Sequence, residues 1–155
     1  QGRQFDASGR TFNWWTDETD EKFVNRSRRL IRQYNNYCPF SDACVNGLGT
    51  LGENIGDLAG LEIAYAAYRY SLGGKEASVI DGKTGDQRFF IAYAHTYREK
   101  VREEIARAML DGDSHAPSRY RVNGVVRNMD AWYAAFDVQA GDRLYLAPGQ
   151  RVRIW

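Results

Sequence analysis

Residues 51–61 read LGENIGDLAGL, and they place two carboxylates in an apolar setting. Glu53 and Asp57 are four residues apart, so they share one face of a helix, a turn from each other. Around them stand Leu51, Ile55, Leu58, Leu61 and Ile63, with Ala64, Ala66 and Ala67 beyond. Such a helix reads as buried nearly all round. Thr50 is expected to cap it, and Gly73–Gly74 to stop it just past Tyr70. A carboxylate buried in such a surface is costly unless a cation, a metal or hydrogen-bond donors compensate. Two arrangements meet that need. Glu53 could ligate a metal while Asp57 orients a ligating His. Alternatively, both acids pair with arginines or backbone donors at a domain surface.

Outward from this helix the chain reads as mainly α with little strand. Residues 1–15 mix Gly, Asp and aromatics and read as irregular or short strand. Thr16 is a candidate N-cap for a helix over 17–36, with Asp17, Glu18, Asp20 and Glu21 in its first turns. Its apolar positions are Phe23, Leu30, Ile31 and Tyr34. Arg28, Arg29 and Arg32 suit the negative end of its dipole. Cys38 to Gly49 and residues 75–85 read as loops. Phe90, Ala94, Tyr97, Val101, Ile105 and Met109 form one stripe, which predicts a single helix from Gln87 to Leu110. A short helix is expected over Asn128–Phe136, and the alternating tail Arg151–Trp155 suggests a short strand. No internal repeat or domain boundary is visible, so residues 1–155 read as a single partial domain.

Composition narrows the function classes. The chain has 155 residues, 21 Lys+Arg against 20 Asp+Glu, and a net charge of +1. That balance, without a basic stripe, argues against a nucleic-acid or lipid adaptor. Hydrophobic residues are 43% and aromatics 14%, enough for a packed core. The polar opening QGRQFDASGR is no signal peptide, and Gln1 reads as a processing or cloning boundary. With two cysteines and two histidines, the chain carries neither a disulfide-rich scaffold nor a four-Cys zinc site. Cys38 and Cys44 could bridge, closing a small loop worth about 2 kcal/mol, or remain free thiols. The sequon Asn25-Arg26-Ser27 falls inside an expected helix and carries little weight.

The segment around Glu53 resembles the E-N-x-x-D-x-x-G pattern of the neprilysin-like zinc metallopeptidases, family M13, with Asn54 and Gly60 also matching. Further matches follow in order along the chain. Gly2, Arg3, Phe5 and Asp6 are similar to the G-R-x-F-D that follows the family's zinc-binding helix, and Trp14–Trp15 to the aromatic pair after it. Asn46, Gly47, Thr50 and Leu51 resemble the approach to the Glu ligand, and Phe89–Phe90 the start of the helix that lines the substrate pocket. Asp113, His115, Pro117, Arg121 and Asn123–Gly124 resemble the family's D-x-H-[SA]-P-x-x-[FY]-R-x-N-G segment, and Arg151–Trp155 its Trp-terminated end.

The resemblance implies the C-terminal helical part of a thermolysin-like catalytic domain. It implies that Glu53 is the third zinc ligand and that Asp57 supports a zinc-bound His. His115 would donate to the oxyanion of the tetrahedral intermediate, with Asp113 orienting it. Arg121 would hold a substrate carbonyl through its planar fork, and Thr96 and Tyr97 would line the S1′ pocket. Asn54 would support the site. His95 reads as an ordinary helix histidine. An extracytoplasmic parent is implied, membrane-anchored, periplasmic or secreted, which favours a Cys38–Cys44 bridge.

The family's His-Glu-x-x-His precedes its G-R-x-F-D, and no such motif occurs among residues 1–155. Two zinc ligands and the general base are therefore expected from the missing N-terminal part. The implied parent is a zinc endopeptidase acting on peptides, with no nucleic-acid partner. The chain alone is expected to bind no zinc, to cleave nothing, and to self-associate through apolar surface left uncovered. The alternative from another class is a non-catalytic helical peptide-binding or interaction module that keeps the scaffold.

Overall fold

The structure is a computed structural model and describes residues 2–155; Gln1, read above as a boundary, lies outside the described residues. Among these, six helices follow in order: α1 (Asp17–Asn35), α2 (Leu51–Ser71), α3 (Gly85–Thr96), α4 (Glu103–Gly112), α5 (Ser118–Val126) and α6 (Asp130–Phe136). A single 3-10 turn opens the chain at Gly2–Gln4, and another precedes the tail at Pro148–Gln150. Strand structure among the described residues is limited to three isolated bridges, of which Phe5 with Thr11 lies in the opening stretch.

Caps explain several boundaries. Thr16 Oγ1 accepts from the Thr19 amide at 3.2 Å and starts α1. Thr84 and Gln87 form a reciprocal capping box at the head of α3. Thr50 behaves differently from the expected cap. Its hydroxyl donates to Asn46 O at 3.0 Å and accepts from Asn54 Nδ2 at 2.8 Å, leaving the first amides of α2 alone.

The core lies where α1, α2, α3 and α5 meet. Leu30 and Tyr34 enter from α1, Leu58 and Leu61 from α2, Phe90 from α3, and Tyr120, Val125 and Val126 from α5. Tyr34 is completely buried, which pushes its hydroxyl ionisation far up, and its Oη donates to Tyr120 O at 3.3 Å. Helix α2 is less buried than its composition suggests. Only Asn54, Leu58 and Leu61 are buried, while Ile63 is 70% exposed.

Gly47 lets the loop before α2 pass against α1. A Cβ there would stand 2.4 Å from the Ile31 carbonyl oxygen, a backbone atom that cannot swing away. The Gly47 amide meanwhile donates to Asn35 Oδ1 at 2.7 Å. Gly47→Ala is therefore expected to destabilise the chain by about 2 kcal/mol, read as a lower midpoint in urea at unchanged slope.

Three sequence expectations are corrected. The single helix over 87–110 is two helices, because the chain leaves helical geometry at Tyr97 and re-enters after Arg102. Tyr97 is held by tertiary contacts described below, and Glu103 and Glu104 supply the acidic first turn of α4. Helix α5 stands where no helix was expected. Its buried face of Tyr120, Gly124, Val125 and Val126 packs on α1 and α2 rather than showing a solvent-facing stripe. The tail forms no strand. Val152 and Ile154 are buried as the alternation implies, but the Val152 amide donates to Asn128 Oδ1 at 2.8 Å and Arg26 Nη1 donates to Ile154 O at 2.8 Å. Side chains take the hydrogen bonds that a neighbouring strand would have taken.

Candidate active site

Helix α2 carries Glu53 and Asp57 on neighbouring turns, and residues 113–121 run alongside it. Asp113 follows α4, and its Oδ1 accepts from both the His115 amide and His115 Nδ1 at 2.9 Å. This tight turn aims the other ring nitrogen at α2: His115 Nε2 lies 3.0 Å from Glu53 Oε2. Both groups remain open to solvent, with side chains 39% and 47% exposed. A neutral imidazole donates to one of these acids and a protonated one to both.

Hydrogen bonds from His115 hold the Asp113 carboxyl below its ordinary range, the backbone amide contributing most. A depressed folded value means that this contribution to folding is present above the unfolded pKa and is lost as pH falls through the folded one. The His115 amide resonance is expected to titrate with a midpoint under the ordinary Asp value of about 3.9. A midpoint at or above that value in an NMR titration would show that the turn is not held this way.

Asp57 meets a different partner. Arg121 Nε donates to its Oδ2 and Arg121 Nη2 to its Oδ1, both at 2.6 Å. The side chains are 10% and 22% exposed, so this two-pronged pair is largely shielded from water. The pairing drives the Arg121 ionisation further up, the hydrogen bonds to Asp57 contributing most. Tyr97 Oη donates to Asp57 Oδ1 at 3.4 Å, and Tyr93 Oη donates to Arg121 O at 2.9 Å. Burial first, then the Asp57 charge, raises the ionisation of both phenols. Asn54 is buried between the acids in sequence and donates to Thr50.

Four of the residues singled out in sequence thus fall into two pairs, Glu53 with His115 and Asp57 with Arg121. Beside them a recess of about 190 Å³ is lined by Val101, Met109, Ala116, Pro117, His115 and Arg121. Thr96 is exposed, its hydroxyl donating to Ala92 O at 3.2 Å, and neither it nor Tyr97 lines that recess. His95 is exposed on the last turn of α3. Sequence reasoning missed Tyr93, although it stands one turn before Tyr97 on the same helix face. Cys38 and Cys44 are bridged. Arg107 of α4 pairs with Asp42 and lies over the Phe40 ring at 4.0 Å, so the bridged loop anchors the helix that leads to Asp113.

Among the described residues no group of three or more His, Cys, Asp or Glu side chains could hold a metal ion. Glu53 offers one exposed carboxylate donor, whereas a tetrahedral zinc site takes four ligands.

A family model for peptidase family M13 matches residues 1–152. The chain belongs to peptidase family M13. The M13 match extends to individual proteins. Over its whole length the chain is 48% identical to Mycobacterium tuberculosis zinc metalloprotease Zmp1, whose inhibitor-bound crystal structure superposes with a TM-score of 0.96 and is covered to 24%. It is 36% identical to human membrane metallo-endopeptidase-like 1 and 37% identical to the neutral endopeptidase of Lactobacillus helveticus, in each case over 99% of the chain. It spans about a fifth of those curated relatives, 20% and 22% respectively. The expected class is borne out: the mainly helical architecture is that of the corresponding part of solved M13 peptidases.

Proposed function

We propose that this chain is the C-terminal portion of the catalytic domain of a zinc-dependent endopeptidase, and that it supplies one metal ligand and the substrate-side donors. The observation that carries the reading is the convergence of Glu53, His115, Asp57 and Arg121 from α2 and the 113–121 segment. Zinc, when bound, supplies an activated water and polarises the peptide carbonyl. Glu53 gives a carboxylate to that site. Asp57 has spare acceptor capacity beyond its bonds to Arg121 and holds a ligating His in the right tautomer. His115, fixed by Asp113, donates to the oxyanion. Arg121 keeps N–H groups beyond those given to Asp57 and offers them to a substrate carbonyl. Thr96 and Tyr97 stand on the substrate side at the end of α3.

The missing ligands and general base belong to an N-terminal part of the same protein. Support comes from the surface beside Glu53. Gly52, Gly56 and Gly60 have open space where a Cβ would stand, and a groove of about 750 Å³ is lined by Trp15, Phe23, Leu48, Leu51 and Ile55. Uncovered, such surface favours self-association. No helix of the described residues is long and apolar enough to cross a membrane. The Cys38–Cys44 bridge supports an extracytoplasmic parent. The reading is tested by zinc content and peptide cleavage of the complete protein with and without Glu53→Gln. Equal activity of the two would remove Glu53 from the metal site.

A further inference from the structure

We infer that Tyr97, together with Tyr93 one turn earlier, is a positioning residue that sets the plane of the Arg121 guanidinium. The positioning stands on geometry alone; its consequence for catalysis rests on the proposed role of Arg121 toward a substrate carbonyl. Asp57 grips one edge of the guanidinium through Nε and Nη2, which fixes the direction of the fork within its plane. An edge contact leaves the tilt of that plane free. The Tyr97 ring supplies the missing restraint, since Arg121 Cζ lies 4.8 Å from its centroid. The Tyr97 hydroxyl reaches the same Asp57, tying ring and carboxylate together. Tyr93 holds the Arg121 backbone carbonyl at 2.9 Å and meets Tyr97 edge to face at 5.3 Å, so the main chain beneath the guanidinium is also held. These contacts give the end of α3 a function. Leaving the helix at Tyr97 allows its ring to lie under Arg121 instead of continuing an apolar stripe. The ring then packs directly on the Asp57–Arg121 pair.

The experiment is NMR of the 155-residue chain labelled with 15N-arginine, the Arg121 Nε–H resonance being assigned by its loss in Arg121→Lys. Tyr97→Phe keeps the ring and is expected to hold Nε–H exchange within about twofold of the unsubstituted chain. Tyr97→Leu is expected to accelerate that exchange by about tenfold, the factor carried by a shielded cation–ring contact. An unchanged Nε–H resonance in Tyr97→Leu overturns the inference. Tyr93→Phe gives a second reading that removes no ring: the Arg121 carbonyl 13C shift must move, and a constant shift likewise overturns it. In the complete peptidase, Tyr97→Leu is expected to raise KM by about tenfold with kcat little changed. If Nε–H exchange rises while KM stays put, the positioning stands and Arg121 loses its role at the substrate carbonyl. Altered side-chain preference with an unmoved Nε–H would make Tyr97 a pocket wall and overturn the inference.

Discussion

Glu53→Gln in the complete peptidase is expected to lower kcat/KM by at least about a thousandfold. Glutamine is nearly isosteric but neutral, so the loss reports charge at the metal rather than shape. Removing a ligating charge should weaken zinc by more than the roughly 10–100-fold typical of losing an outer partner of a ligand. The same logic sets the behaviour of the isolated chain. Its sequence holds two histidines, His95 and His115. The first is exposed on α3, and the second is engaged with Glu53 and Asp113. One carboxylate does not make a tight site, because affinity comes from several ligands held together. Zinc calorimetry and a fluorogenic peptide assay with a chelator control are expected to show no stoichiometric binding and no cleavage by the isolated chain. Micromolar binding by a verified monomer, or chelator-sensitive cleavage, would mean that the ligands are misplaced.

Asp57→Ala is expected to be strongly destabilising, by about 3 kcal/mol. Arg121 would keep its charge in a site only 22% exposed, with no acid to answer it. For a chain of this length that corresponds to a fall of about 10 °C in Tm. Removing both charges should hurt less than removing one, since no uncompensated charge remains. Thermal unfolding of Asp57→Leu, Arg121→Met and the double variant checks this. A double variant as unstable as the sum of the singles would show that the two residues do not act as a pair.

Much of this molecule is written locally. The Thr16 cap and the apolar positions of α1 act within a few residues of one another, and so does the four-residue spacing that places Glu53 and Asp57 on one face. The ordered matches through Asp113, His115 and Arg121 likewise need only the linear sequence, and they sufficed for the family. What stayed hidden depends on partners far along the chain. The carboxylate that reads as needing compensation meets Arg121, 64 positions on, and the motif that singles out that arginine does not name Asp57 as its partner. Tyr97 sits in an unbroken helical stripe, yet its contacts with Asp57, Tyr93 and Arg121 end α3 there. The tail alternates as a strand does, but Asn128 and Arg26 take its hydrogen bonds, 24 and 128 positions away. Periodicity and caps are short-range, so sequence alone determined the helical class and the family, and set Glu53 and Asp57 on one helix. Burial and charge pairing are properties of the folded neighbourhood, so only the tertiary structure decided where helices stop and which partner each acid holds.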